Sequence, residues 1–347
     1  MQMMTQEANL DELLSQYGVR AEYVEKHGDV WRVSTQNGAF ALKKIRKEHA
    51  YPLFRNIHSL YQRGIKTIVP IYQTKQGHYF IENYADAYYL MPWIEDQEER
   101  ELDFKDNLMF KELAKLHGMT VQEKEYEEEE ITSYYERVSG EWTKEQEELE
   151  KFVGECEKKI YMSPFELQVC TYAHEISLAQ KFSLQKLEGW QEAIKETKQH
   201  RVAMTHGRVS FHHFVKDTEG RGYFISWERA KQGPPTNDII SFYHRYLKTY
   251  PLYCDDCIDW FYEYQKGFSL LGHEKDLTLS YLSYPKAFLQ AVHQSQLPKD
   301  QSRRNISERE LVKRIQSSYW MAKNIEYVAG RINQIEEQNK NKEANTG

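Results

Sequence analysis

The sequence predicts an α+β chain in two lobes, a small antiparallel-sheet lobe over residues 1–94 and a larger helical lobe over 95–335, with a polar tail, 336–347, expected to be disordered. Three observations carry this expectation. Short alternating segments punctuated by turn residues fill the chain up to about residue 94 and enclose one helical stretch. Helical periodicity dominates afterwards, and 347 residues are enough for two separate cores.

The elements follow in order. Leu10, Leu13 and Leu14 have the spacing of a short amphipathic helix, and Glu22-Tyr23-Val24 and Val30-Trp31-Arg32-Val33 alternate as strands. Gln36-Asn37-Gly38 is a turn signal ahead of the strand Phe40-Ala41-Leu42-Lys43. Lys43 then has two readings, an inward lysine with a chemical role or the solvent-facing member of the strand, and the adjacent Lys44 leaves the register open by one residue. A helix is expected over His49 to Tyr61, with Leu53, Ile57 and Leu60 on one face, and Glu48 is the acid at its N-terminal edge. Ile71 to Thr74 and His78 to Glu82 read as a hairpin, and Tyr88-Tyr89-Leu90-Met91 leads into Pro92-Trp93-Ile94. This order predicts a five-stranded sheet with one helix, mixed on its strand, helix, strand order and antiparallel on its hairpins.

Beyond residue 94 a helix is expected from about Phe104 to His117, ended by Gly118. The acidic stretch from Glu123 to Glu150 reads as a solvated face or loop, or as a site for a cation or basic partner. Long helices are expected from about Ser133 to Gln199, and further ones over Phe242 to Tyr250, Asp259 to Leu270 and Glu308 to Ile335.

Composition sets limits. With 40% hydrophobic and 29% charged residues the chain is an ordinary globular one, and a formal charge of −7 gives no overall electrostatic case for nucleic acid. No run approaches the length of a membrane span, and the first residues lack the pattern of an export signal. Four cysteines do not make a disulfide scaffold. Cys254-Asp255-Asp256-Cys257 with Cys156 and Cys170 could supply four thiolates to zinc, yet the flanking Ile258, Trp260 and Phe261 suggest a helix on which Cys257 is a small buried hydrophobe.

The most informative stretch is Met204-Thr205-His206-Gly207-Arg208-Val209-Ser210-Phe211-His212-His213-Phe214, followed by Tyr223-Phe224-Ile225-Ser226-Trp227-Glu228. Two short apolar strands are joined by a polar turn, with a His-Gly corner leading in and Trp-Glu leading out. This resembles the catalytic loop and metal-binding strand of an aminoglycoside-phosphotransferase-like kinase. The family's pattern there is His-Gly-Asp, an Asn five residues later, and then Ile-Asp-Trp-Glu. Arg208, His213 and Ser226 occupy the three chemical positions. A guanidinium has no acceptor for the proton of an attacking hydroxyl, and an imidazole with a neutral hydroxyl is a poor replacement for the oxygen ligands of Mg²⁺. These positions are expected to be degenerate, so neither a catalytic group nor a metal ligand is expected among them.

Other anchors extend the resemblance over residues 20 to 330. Phe40-Ala41-Leu42-Lys43 is similar to the third kinase strand, which would make Lys43 the phosphate-pairing lysine. Leu113-Ala114-Lys115-Leu116-His117 resembles a packing signature, and Gly233-Pro234-Pro235-Thr236-Asn237-Asp238 parallels a segment whose Asp caps a helix. Met91-Pro92-Trp93 stands at the adenine-binding hinge, where Pro92 has no N–H and Trp93 has one. The resemblance thus implies a residual nucleotide site at Lys43, Met91, Trp93 and Glu228. The expected helix at 49–61 has no acid in its body to pair with Lys43.

The chain is most similar to the spore-coat-associated CotS family, in particular its YsxE-like members. That resemblance implies a bilobal kinase-like fold, synthesis in the mother-cell cytoplasm of an endospore former, and deposition in the spore coat beside other coat proteins. It implies no membrane or nucleic-acid partner. The 25 tyrosines suit a cross-linked shell, or equally pack at helix surfaces. Three functions remain open. The chain is a catalytically inactive kinase-like protein with a structural or assembly role, a module that binds nucleotide or a small ligand without turnover, or a small-molecule phosphotransferase using residues such as Glu228 and His212. No cofactor is expected under the first, and ATP with Mg²⁺ enters only under the others. Arg208 is expected to be paired with an acid, Glu228 first.

Overall fold

The computed structural model of the protein describes residues 10–95, 102–197, 199–247, 250–297 and 306–346. In chain order, a helix over residues 10–16 (α1) precedes β1 (Tyr23–His27), β2 (Val30–Thr35), β3 (Gly38–Arg46), α2 (Lys47–Gln62), β4 (Ile81–Asn83), β5 (Asp86–Pro92) and α3 (Leu102–Thr120). Then come β6 (Gln122–Glu125), α4 (Glu128–Glu157), α5 (Pro164–Thr197), β7 (Gln199–Thr205), β8 (Phe214–Lys216), β9 (Gly222–Phe224) and β10 (Lys231–Gly233). The last elements are α6 (Thr236–Tyr246), α7 (Asp255–Gly267), α8 (Gly272–Ser283), α9 (Lys286–Gln296) and α10 (Glu308–Thr346).

The chain divides into two compact units, Met1–Val121 with Ala203–Gly233, and Gln122–Val202 with Pro234–Gly347. The division does not fall at residue 94. The sheet groups with α3 and the segment 203–233, and Ser226 and Glu228 of that segment meet Lys43 and Tyr89 on its inner face.

In the first unit the sheet runs β1-β2-β3-β5-β4, and every pairing is antiparallel, so α2 is not a crossover between parallel strands. Period-2 alternation sorts β3 into two faces. Leu42 points into a cluster with Val33, Tyr88 and Leu90, covered by Leu13 and Leu14 of α1. Ala41, Lys43 and Ile45 point the other way and are buried too. The hairpin expected over residues 71–82 is not a ladder. Tyr72 N–H donates to the Leu90 carbonyl and Thr74 N–H to that of His78, and only Ile81–Asn83 forms a strand. Gly118 does not end α3, which runs to Thr120 and buries Leu113, Ala114, Leu116 and His117.

The second unit is mainly helical. Its core joins Trp142 and Leu149 of α4 to Val169, Leu187 and Trp190 of α5, Phe288 of α9 and Ile315 of α10. Fully burying each large apolar side chain contributes roughly 1.5–3 kcal/mol. From Glu128 on, the acidic stretch is helix rather than loop, and its first glutamates form the solvated face expected of it. Glu128, Glu129 and Glu130 form the first turn of α4, where the unpaired N–H groups of the helix end favour negative charge.

Three further expectations change here. Cys254 and Cys257 form a disulfide with a Cα–Cα distance of 5.3 Å, so Cys257 is not a free buried thiol, and the Cys254 sulfur also accepts a bond from Cys257 N–H as the cap of α7. Asp238 is buried in the first turn of α6, whose capping position is Pro235. Helix α10 continues through the tail expected to be disordered. Glu336 is held there by Lys275 at 2.6 Å and by the Tyr262 hydroxyl, and the Gln, Asn, Lys, Glu and Ala residues that follow include strong helix formers. Among the described residues no helix is long and apolar enough to cross a membrane, and no group of three or more His, Cys, Asp or Glu is placed to hold a metal ion.

Candidate functional site

The site lies within the first unit and begins with the register of two strands. Lys43 of β3 sits opposite Tyr89 of β5, and Ala41 opposite Met91, all four buried. Lys44 is the half-exposed neighbour and pairs with Asp86 at 2.7 Å, which resolves the register left open by the adjacent lysines. Burying a lysine is costly unless its ammonium is paired and hydrogen-bonded.

The partners come from the segment after β9. In the short β8–β9 hairpin only glycine fits at position 222, because a Cβ there would collide with the Phe214 ring. Ser226 then adopts a left-handed conformation, φ 69° and ψ 56°, and a 3-10 turn over Trp227–Arg229 follows, fixed by Trp227 Nε1–H donating to the Phe224 carbonyl at 2.8 Å. A left-handed non-glycine residue costs of order 1–3 kcal/mol, and Asp and Asn tolerate it better than Ser. The backbone therefore keeps a shape suited to an Asp at a position that carries Ser.

This turn brings two oxygens to one ammonium. Lys43 Nζ donates to Ser226 Oγ at 2.7 Å and pairs with Glu228 Oε1 at 2.6 Å, while the Tyr89 hydroxyl donates to the same carboxylate oxygen at 3.0 Å. Both charged side chains are about nine-tenths buried. Burial acts to raise the Glu228 pKa, but the charge and hydrogen bond of Lys43, the Glu228 N–H and the Tyr89 hydroxyl outweigh it and hold the carboxyl below its ordinary range. Burial first, and then the neighbouring Glu228 charge, push the Tyr89 phenol well above its ordinary value, so it stays a neutral donor.

The expected pair of Arg208 and Glu228 does not form. Arg208 is exposed and makes no ion pair among the described residues, and Glu228 is engaged by Lys43. Nor is Lys43 left without an anchor by the lack of an acid in α2. Glu48 is exposed beside Arg46 and His49, and the anchoring carboxylate comes from Glu228 instead. Helix α2 contributes Asn56, which is buried and donates to the Ala230 carbonyl at 2.7 Å, holding the end of the same turn. Trp93 N–H, the one hinge donor left beside Pro92, donates to the Ala39 carbonyl at 3.0 Å. Its indole meets the His27 ring and the Arg32 guanidinium.

His206, fully buried, organises the loop. Its Nδ1 accepts from Arg208 N–H at 3.2 Å, which makes Nε2 the donor to the Ile225 carbonyl at 2.9 Å. His213 is half-buried with Ser210 Oγ 2.6 Å from its Nδ1, and His212 is exposed. Sequence reading missed Tyr89 and Asn56. Tyr89 is legible as the residue two before Met91 on one strand face, and Asn56 as a polar residue within the apolar stripe of Leu53, Ile57 and Leu60.

The donor set does not fit Mg²⁺. At the positions that would hold the metal stand an imidazole and a hydroxyl, the hydroxyl already taken by Lys43. A lysine paired with an acid is compatible with phosphate, so the misfit lies in the metal ligands.

The Lys43–Glu228 pair predicts a pH dependence. A carboxyl whose folded pKa lies below its unfolded value of about 4.5 adds stability that is complete above 4.5 and lost as pH falls through the folded value. Urea unfolding above and below pH 4.5 should therefore show a smaller acid loss in Glu228→Gln than in the native chain. Other depressed carboxyls, Glu175 among them, remain in both and cancel. Parallel pH profiles would refute the assignment.

The fold defines the class, a kinase-like α+β fold with an antiparallel sheet followed by a mostly helical region. Solved structures supply the particular likenesses. An aminoglycoside phosphotransferase from Alicyclobacillus acidocaldarius superposes with a TM-score of 0.70 at 13% identity, covering 94% of this chain and 96% of that one. Spectinomycin phosphotransferase APH(9)-Ia, solved with ADP and spectinomycin, superposes with a TM-score of 0.54 at 14% identity, covering 92% and 98%. At such identities the likeness shows the fold alone. No family model matches the sequence, and no curated protein matches it.

Proposed function

We propose that this chain is a catalytically inactive kinase-like protein with a structural or assembly role in the bacterial endospore coat. The observation that carries the loss of catalysis is Ser226, whose neutral hydroxyl stands at the metal-binding position and accepts from Lys43. Arg208 adds to it by placing an exposed cation where the reaction needs a proton acceptor. The coat role rests on the resemblance to the CotS family in the anchors around Lys43, His117, His206 and Asp238. On this reading the partners are other coat proteins, and the chain is made in the mother-cell cytoplasm and then deposited on the spore.

The purified protein should consume no ATP above background with Mg²⁺ present, and Arg208→Asp alone should create no activity. Phosphoryl transfer depends on metal and phosphate being held in line, which a restored acceptor does not supply. Because Arg208 is exposed, Arg208→Ala should change stability by no more than about 0.5 kcal/mol. Mg²⁺-dependent transfer to any small-molecule acceptor, abolished by Lys43→Ala, would instead place the chain with the phosphotransferases it resembles in fold. A fluorescent fusion that stays diffuse in the mother cell throughout sporulation would refute the coat assignment.

A further inference from the structure

The second unit contains a cavity of about 310 Å³ that shares no residue with the Lys43 site. Its body is apolar and largely aromatic, with Tyr126, Tyr134 and Trp190 among its walls. Tyr126 stacks on the His200 ring at 4.2 Å between centroids and 10° between planes, and Tyr134 meets Trp190 edge-on at 5.3 Å. The volume lies at the lower end of the range of small-molecule sites.

Three polar atoms on this one cavity are buried without a hydrogen-bond partner, namely His200 Nδ1, His273 Nε2 and Thr236 Oγ1. Thr236 is 1% exposed and His273 5%, so solvent outside the cavity does not serve them. Leaving a buried donor or acceptor unpaired costs about 1–3 kcal/mol, and three around one space are an unusual concentration. Of the charged residues here, the buried pair is already matched and Glu130 is left to solvent. Arg201 pairs with Glu274 through two hydrogen bonds, one of them 2.9 Å from Nε, and stacks over Phe268 at 4.3 Å, while Glu130 is exposed. Burial pushes the pKa of both histidines down, so each presents a neutral ring. An anion would find no free cation here, and a cation only the solvated carboxylate of Glu130.

We infer that this cavity is a binding site for a small uncharged molecule with a flat, aromatic body and two or three hydrogen-bonding atoms on one edge, the chemistry of a nitrogen heterocycle or a phenol. The ring lies among Tyr126, Tyr134 and Trp190, and its polar edge meets His200, His273 and Thr236. A neutral imidazole and a hydroxyl each donate or accept, which lets the site take a donor and an acceptor side by side.

The test uses 7-azaindole, a neutral bicycle with a ring N–H and a ring nitrogen on adjacent positions, titrated into the full-length protein by ligand-observed NMR, with benzoate and tetramethylammonium as charged comparisons. Saturable binding of 7-azaindole is expected, at least about tenfold tighter than either ion. Thr236→Val keeps the side-chain shape and removes the hydroxyl, and should weaken binding about fivefold, the equivalent of one hydrogen bond. His273→Phe should weaken it at least as much. Since Thr236→Val removes an unpaired group, its melting temperature should not fall, which separates lost binding from lost folding. Absence of saturable binding at millimolar probe would mean a cavity filled by water only and would overturn the inference. So would preference for either ion, or unchanged affinity in a folded Thr236→Val protein.

Discussion

Lys43→Ala and Glu228→Ala should each destabilise the protein by about 3–5 kcal/mol, because each leaves one charge of a buried pair without its partner. The two side chains are only 10% and 12% exposed, so water does little to replace the lost contact. The survivors differ. Glu228 without Lys43 keeps the Tyr89 hydroxyl and can relieve its burial by taking up a proton, whereas Lys43 without Glu228 keeps only the neutral Ser226 hydroxyl from this network. Glu228→Ala should accordingly be the more damaging of the two at neutral pH. Replacing both by apolar residues of similar length, Lys43→Met with Glu228→Leu, should recover most of the loss, since a well-packed apolar pair often equals a buried ion pair. Denaturant unfolding of the two single variants and the double variant forms a cycle that isolates the coupling. Single losses below about 1 kcal/mol would show that the pair is neither buried nor strong.

Gly207→Ala should cost about 2–5 kcal/mol. Gly207 has φ +73°, a region that costs a residue with a side chain roughly 1–2 kcal/mol, and a Cβ built there lies 2.4 Å from the Arg229 carbonyl oxygen. The atom in the way is backbone, so relief requires moving the turn that carries Ser226 and Glu228, and overpacking of that kind adds typically 1–3 kcal/mol. Gly220 is the internal control. It has φ +80° but nothing within 4 Å of a built Cβ, so Gly220→Ala should cost only about the conformational term. Equal losses for the two substitutions would mean that the close approach between residues 207 and 229 is not a constraint.

The same carbonyl contact helps to set the shape of the loop independently of its polar side chains. Gly207, His206 and Trp227 hold the loop through a close backbone approach and hydrogen bonds to backbone groups, the Arg208 N–H among them, that use neither the Arg208 nor the Ser226 side chain. The frame of the loop is therefore set apart from the side chains at positions 208 and 226.

Much of this frame is legible without coordinates, because local patterns encode it. Alternation in Phe40-Ala41-Leu42-Lys43, the Asn37-Gly38 turn and the leucine spacing of α2 determine a sheet with one helix, and the His206-Gly207 corner marks the loop by its order relative to the other anchors. What the sequence could not decide is which side chains meet. Lys43 and Glu228 are 185 residues apart, Arg208 stands closer to Glu228 in the chain, and charge alone allows either pairing. The left-handed turn at Ser226 chooses between them by aiming Glu228 at β3 while Arg208 stays in solvent. Register decides likewise for Trp93, whose N–H looks free in sequence and is taken by Ala39 once β3 and β5 align. The polar tail shows the reverse error, since composition suggests disorder where Lys275 and Tyr262 hold Glu336 within a continuing helix. Periodicity and turn chemistry act over a few residues and are written in the chain, whereas ion pairing, backbone satisfaction and the three unpaired atoms around the aromatic cavity depend on segments brought together by packing, which only the tertiary structure determines.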